Sequence, residues 1–256
     1  MNIEGINKIK TIDELMDKWF KYSRSKWPEA VFVKDGPFCY YWQQKIKILF
    51  VARELPGKID KGEEGSFTTY QDERECMIKL GIFQSRLLYL AYGIINGEST
   101  EQDWIASYDS GNGARKLNQK FAEDPKLCDG AFSYAAVNAS KLLNSDGKKI
   151  GKLFHAFISD EINRAFFLRE INLLKPDIII SANLADLKFF KDFEGRIDPD
   201  VKSSYSSENC TVWNYKSEKK DKQIPWLDTW HFTAGKETFK CFYRPICVAA
   251  KELLGK

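Results

Sequence analysis

The chain has 256 residues, is 43% hydrophobic and 29% charged, and carries a net charge of +3. That is an ordinary globular balance, long enough for a large buried core and compatible with a nucleic-acid partner without requiring one. Its six cysteines (Cys39, Cys76, Cys128, Cys210, Cys241 and Cys247) include no Cys-x-x-Cys pair, which argues against a zinc knuckle or an iron–sulfur loop. The N-terminal segment lacks the apolar core of a signal peptide, and no apolar run reaches membrane-span length. A reducing cytoplasm with free thiols is expected.

The first element is a helix over 11–24. Thr11 and Glu14 have the spacing of a capping box, and Ile12, Leu15, Met16, Trp19 and Phe20 share one face. "DGPF", 35–38, reads as a turn. "KIKILFVA", 45–52, is an apolar run without helical periodicity, the pattern of a strand buried on both faces. A polar, Gly-rich loop over 58–71 follows, with Phe67 as its conspicuous aromatic. Residues 73–95 have a long helical pattern, and 97–130 read as an insertion.

"AFSYAAVN", 131–138, is the second strand candidate, and 152–175 a single amphipathic helix ending before Pro176. "DIIISA", 177–182, is the clearest strand, followed by a short helix over 184–193. Residues 198–223 form a second insertion with one strand near 211–215. "IPWLDTWH", 224–231, is the fourth sheet strand, and a helix starting near Pro245 closes the chain. The alternation predicts one domain over 1–256, with a helical extension over 1–30. The expected fold is a three-layer α/β/α sandwich around a central, mainly parallel four-stranded sheet.

In open parallel sheets, ligands bind outside the carboxyl ends of the strands. Arg53, Glu54, Pro56 and Gly57 follow the first strand. Asn138, Ser140 and Lys141 follow the second, Ser181 and Asn183 the third, and His231, Thr233 and Gly235 the fourth. Each has a plainer reading beside the functional one. Glu54 can pair with Arg53 or a nearby lysine, Asn138 can cap a turn, and a single histidine is more often structural than catalytic. His155 reads as a packed or surface residue, and Lys148, Lys149 and Lys152 as a solvated basic face. The joint placement at strand ends raises the functional reading above these.

The order of strand plus "RELPG", strand plus Asn138, "LLKPDIIISA", and strand plus His231 resembles the uracil-DNA glycosylase superfamily over roughly residues 31–252. The opening "KDGPFCYYWQQKIKILFVARELPG" is most like its divergent bacterial members. The resemblance implies a glycosylase fold and hydrolysis of the N-glycosidic bond of uracil or another deaminated base in DNA. It implies Glu54 as the water-activating carboxylate and His231 as the group that steadies the departing base. Phe67 would stack on the base, Asn138 would read its edge, and Arg53, Pro56 and Gly57 would form the turn that approaches it. It implies flipped-base DNA as partner. The cysteines of the family's iron–sulfur branches are absent, and a monomer without cofactor or metal is expected.

The chain departs from the family pattern at Arg53, where a Gly is usual, and at Leu55, where active branches carry Asp or Asn. His231 is followed by Phe232-Thr233-Ala234-Gly235 rather than by Pro. These departures motivate a second expectation, a nucleobase- or nucleic-acid-binding protein with little or no catalysis. A third, a different α/β enzyme, gains nothing from a phosphate-binding Walker sequence, a dinucleotide fingerprint or a nucleophile elbow, because the chain contains none.

Overall fold

The computed structural model describes residues 2–38, 40–55, 65–66, 82–96, 133–144, 151, 153–199, 210–218, 223–232 and 242–255. The helices are α1 (Ile3–Asn7), α2 (Ile12–Lys26), α3 (Ile82–Asn96), α4 (Phe154–Ser159), α5 (Glu161–Leu174) and α6 (Arg244–Leu253). The strands are β1 (Val33–Lys34), β2 (Gly36–Pro37), β3 (Ile48–Ala52), β4 (Gly65–Ser66), β5 (Ala135–Asn138), β6 (Ile178–Ala182), β7 (Ile197–Pro199), β8 (Cys210–Lys216) and β9 (Gln223–Thr229). No helix among the described residues is long and apolar enough to cross a membrane.

The central sheet has seven strands in the order β2-β5-β3-β6-β9-β8-β7, so the expected count of four is corrected. Its middle is the parallel run β5-β3-β6-β9, built from the four apolar segments. Antiparallel strands extend both sides: β2 on β5 at one edge, β8 on β9 and then β7 on β8 at the other. "DGPF" is therefore no simple turn, because Gly36 and Pro37 pair with Ala136 and Ala135. The strand expected at 211–215 is β8, a full member of this sheet.

Successive side chains along a strand face opposite sides. In β3, Ile48 and Phe50 face one core with α3 and α6, while Leu49 and Val51 face a second with α1, α2, α4 and α5. Ile180 and Ile179 of β6 divide in the same way. Burial on both faces explains why these strands are continuous apolar runs rather than alternating ones.

Thr11 caps α2, its Oγ1 accepting from the Glu14 N–H at 3.2 Å. Trp19 of α2 stacks on Phe166 of α5, with centroids 5.3 Å apart, and its Nε1–H donates to Asn163 Oδ1 at 2.8 Å. The helix expected over 152–175 is two helices, broken at Asp160. That residue is extended, and its carboxylate accepts from the Asn163 N–H at 2.9 Å as the N-cap of α5. Past β6, residues 185–193 form two short 3₁₀ segments instead of an α-helix, with Lys188 left-handed between them.

Gly93 sets how closely α3 and α6 approach. A Cβ there would lie 2.1 Å from Tyr243 Oη and 2.7 Å from Cys247 Sγ. Alanine favours a helix over glycine by about 1 kcal/mol, but overpacking a core costs about 1–3 kcal/mol. Gly93→Ala is expected to be net destabilising, read as a lower urea midpoint. An unchanged or higher midpoint would show that the two helices separate at little cost.

Candidate functional site

The parallel run β5-β3-β6-β9 holds the second, first, third and fourth of its strands in chain order. From β3 the chain moves to one side, to β5, whereas from β6 it moves to the other, to β9. The carboxyl ends of β3 and β6 are thus a topological switch point, where diverging connections leave a crevice. The β3 end is tied to the segment after β5. Ala139 N–H donates to Ala52 O and Ser140 N–H to Arg53 O, both at 2.8 Å, and Asn144 N–H donates to Leu55 O at 2.9 Å.

Glu54 is buried in this corner. Its Oε1 accepts from the Gly151 N–H at 2.6 Å and from Asn144 Nδ2 at 3.0 Å. A Cβ at Gly151 would come within 2.8 Å of Glu54 Oε2, so a side chain there would displace the Glu54 carboxylate. Burial raises the Glu54 carboxyl above its usual range. The Gly151 N–H, Arg53, Asn144 and exposed His155 of α4 pull the other way. Glu54 is thus a carboxylate of increased basicity with one oxygen already engaged.

His231, just past β9, lies beside Phe83 of α3, ring centroids 6.1 Å apart. Arg86, one turn further along α3, donates from Nη1 to Phe232 O at 2.9 Å. Burial lowers the pKa of His231, and the positive charges of Arg53 and Arg86 lower it further. His231 is therefore neutral at pH 7, in a site of positive potential. In the unfolded chain an ordinary histidine gains its proton as pH falls through about 6.5. The folded chain takes it only at lower pH, so the unfolded state binds more protons in that window and stability falls on acidification. The wild type is expected to lose more stability between pH 7 and pH 5.5 than His231→Gln, by urea unfolding at both pH values. An equal loss would exclude His231 as the source.

Asn138 ends β5 on the same face as Ala136. With Phe50, Ala52, Leu87 and Phe83 it lines a narrow crevice under α3. Phe83 therefore touches both the Asn138 crevice and the His231 ring. Asn138 is held from the sheet edge: Asp35 Oδ2 accepts from its backbone N–H at 2.6 Å and from its Nδ2 at 2.9 Å. Asp35 Oδ1 pairs with Lys141 Nζ, which also lies 2.8 Å from Glu170 Oε2 and 5.0 Å from the Trp19 ring centroid. Asp35, Lys141 and Glu170 are fully buried side chains. Glu170 is near the ammonium but off the hydrogen-bond direction, and burial pushes its carboxyl up to about 8.

At the β6 and β9 ends the polar groups build the loop. Asp228 Oδ1 accepts from Ser181 Oγ at 2.5 Å and from the Leu184 N–H at 3.0 Å, and Oδ2 accepts from the Ala185 N–H at 2.8 Å. Trp226 Nε1–H donates to Ser181 Oγ at 2.7 Å, and left-handed Asn183 donates its N–H to Thr229 O at 2.6 Å. Ser181 and Asn183, candidates by position, thus serve to fix the strand ends.

Of the sequence candidates, Arg53 is the shared electrostatic neighbour of Glu54 and His231, while Asn138 joins His231 through Phe83. Pro56, Gly57 and Phe67 lie outside the described residues. Phe83, Arg86 and Asp35 enter the site from the structure. Helical spacing puts Phe83 and Arg86 on one side of a helix but does not say which side meets the strand ends.

A separate groove of about 550 Å³, near Phe190, Trp213, Lys188 and Asp198, lies toward the β7–β8 edge. Among the described residues no group of three or more His, Cys, Asp or Glu could hold a metal ion. Cys210 is a buried free thiol, pushed up to about 12 by burial and by Asp228, which leaves it protonated at neutral pH.

Fold and site together define a mixed α/β protein with a narrow, mostly apolar crevice that ends on Asn138 at the carboxyl ends of a parallel sheet core, and with Arg53 and Arg86 near His231 beside it. No family model, no curated protein and no solved structure matches the chain.

Proposed function

We propose that the protein admits a nucleobase to the strand-end crevice and hydrolyses its N-glycosidic bond in DNA, in the manner of the uracil-DNA glycosylase superfamily it resembles in motif order. One observation carries the reading: Phe83 joins the crevice that ends on Asn138 to the ring of His231. An amide offers a donor and an acceptor to the edge of a base. Neutral His231, with Arg53 and Arg86 nearby, supplies a donor and positive potential where negative charge develops on the departing base. Glu54, made more basic by burial, takes the proton of the attacking water. The crevice has no room for a water molecule in this conformation, so a planar base enters only when Phe83 or α3 shifts.

A second reading is favoured by the Glu54 contacts. With Oε1 accepting from both Gly151 and Asn144, the carboxylate is well satisfied, as in a site that binds without turnover. The test is base release from single- and double-stranded oligonucleotides carrying uracil, hypoxanthine or xanthine, with alkali to reveal abasic sites. Release from any of them supports the enzyme. Tight, salt-sensitive binding without release supports the binding protein.

A further inference from the structure

We propose that the groove at the β7–β8 edge is a second binding site, which takes one free nucleoside monophosphate with its base on Trp213 and its phosphate on Lys188 and Lys191.

The groove exists because the helical cover of one sheet face stops short. Alternate side chains of a strand share a face. Tyr215 of β8 is buried on that face against α5, its Oη donating to Asn172 Oδ1 at 2.9 Å, whereas Trp213 is half-buried and Thr211 exposed. Over Trp213 the cover passes to the 3₁₀ segments of residues 185–193. Phe190 and Ile197 belong to the core beneath α5, while Phe50 and Ala136 of the Asn138 crevice belong to the core beneath α3. The groove thus lies across the sheet from the crevice and does not depend on the reading given to it. Its volume of about 550 Å³ is that of a small-molecule site.

The 3₁₀ backbone builds a charged wall. With three residues per turn, side chains three apart stand one above the other, about 6 Å of rise between them. Ala185, Lys188, Lys191 and Glu194 follow that spacing, and all four line the groove. An α-helix would carry the last of them about half a revolution away from the first. Phe189 and Phe193 of the same segment are buried in the core instead. Lys188, Lys191 and Glu194 form no ion pair among the described residues. Asp198 on the other wall is already engaged, with Lys216 Nζ 2.5 Å from Oδ2 and the Gly195 N–H donating to Oδ1 at 3.0 Å.

The floor is aromatic. Trp213 stacks on Phe190, ring centroids 4.2 Å apart and planes at 25°, and Phe190 meets Trp226 edge-on at 5.4 Å. The indole is backed on one face and tied by its Nε1–H to Thr211 Oγ1 at 3.1 Å, which leaves the other face for a ring in the groove. A flat stacking surface suits a base, two adjacent ammonium groups suit a phosphate dianion, and a carboxylate accepts from sugar hydroxyls. Glu194 also sets the length of the ligand. The next phosphate of a strand, continuing along the row, would meet this carboxylate, so one nucleotide fits and a strand is repelled.

The full chain is tested by equilibrium dialysis and calorimetry with adenosine monophosphate, adenosine, inorganic phosphate and a short single-stranded oligo(dA). Wild type, Trp213→Leu and the double variant Lys188→Gln/Lys191→Gln are compared, with thermal melts to confirm folding. The expected result is one adenosine monophosphate per chain, with adenosine and inorganic phosphate each at least about 10-fold weaker. Trp213→Leu weakens adenosine monophosphate and adenosine alike, by about 10- to 100-fold. The double lysine variant weakens adenosine monophosphate and leaves adenosine unchanged.

A folded wild type that binds no adenosine monophosphate overturns the proposal, as does binding that survives in both variants and so belongs elsewhere on the chain. Oligo(dA) binding more tightly than the monophosphate would assign the groove to a strand and overturn it too. Should Trp213→Leu not fold, the exposed lysines of the double variant decide alone: unchanged binding of the monophosphate overturns the proposal. Failure of base release from any oligonucleotide bears on the strand-end crevice and leaves this site standing.

Discussion

Glu54→Gln is expected to remove base release while leaving the fold intact. Glutamine keeps the shape and an Oε1 acceptor, so the Gly151 N–H and Asn144 Nδ2 retain their partner in this buried corner. It cannot take a proton from water. A positioned general base contributes about 10²- to 10⁴-fold to a rate, and a loss of that size is expected in single-turnover release from a uracil-containing strand. The melting temperature stays close to the wild type, which separates lost chemistry from lost structure. A variant releasing base at the wild-type rate would take Glu54 out of the reaction and leave it as the residue that ties the β3 end to Gly151.

Lys141→Met is expected to be the most damaging single change outside the chemistry. The ammonium is fully buried between Asp35 and Glu170. Methionine fills much of the volume and can still lie against Trp19, so the cavity left behind is small. The dominant loss is electrostatic, because the Asp35 carboxylate stays in the interior with no cation beside it. Breaking a buried ion pair by removing one member costs about 3–5 kcal/mol, a large share of a typical domain's stability of about 5–15 kcal/mol. Urea unfolding of the purified variant measures it. A loss below about 1 kcal/mol would mean that the peptide N–H and amide of Asn138 suffice to hold Asp35.

The parts of the fold legible in the sequence are those whose signal is local. β3, β5, β6 and β9 are runs of apolar residues because helices cover both faces, and they were recognisable as such without the structure. β2 was not, since Gly36-Pro37 carries a turn signature and becomes a strand only by pairing with residues about a hundred positions away. The break at Asp160 was hidden because the apolar spacing of 152–175 continues through it, while the capping carboxylate interrupts the backbone.

The site divides along the same line. Residues at or just past the end of a strand, such as Arg53, Glu54, Asn138 and His231, follow from topology. Their supports do not, because Asn144 and Gly151 reach Glu54, and Asp35 reaches Asn138, across long separations in the chain.

The two outermost strands have a consequence for behaviour at high concentration. β2 is two residues long and ends in Pro37, and β7 is three residues long and ends in Pro199. Proline has no N–H to offer an incoming strand, and edges this short give little length for one to zip onto. Both described margins of the sheet are thus poor templates for β-type polymerisation. The protein can keep a strongly apolar sheet centre without recruiting further copies through its edges into fibrils.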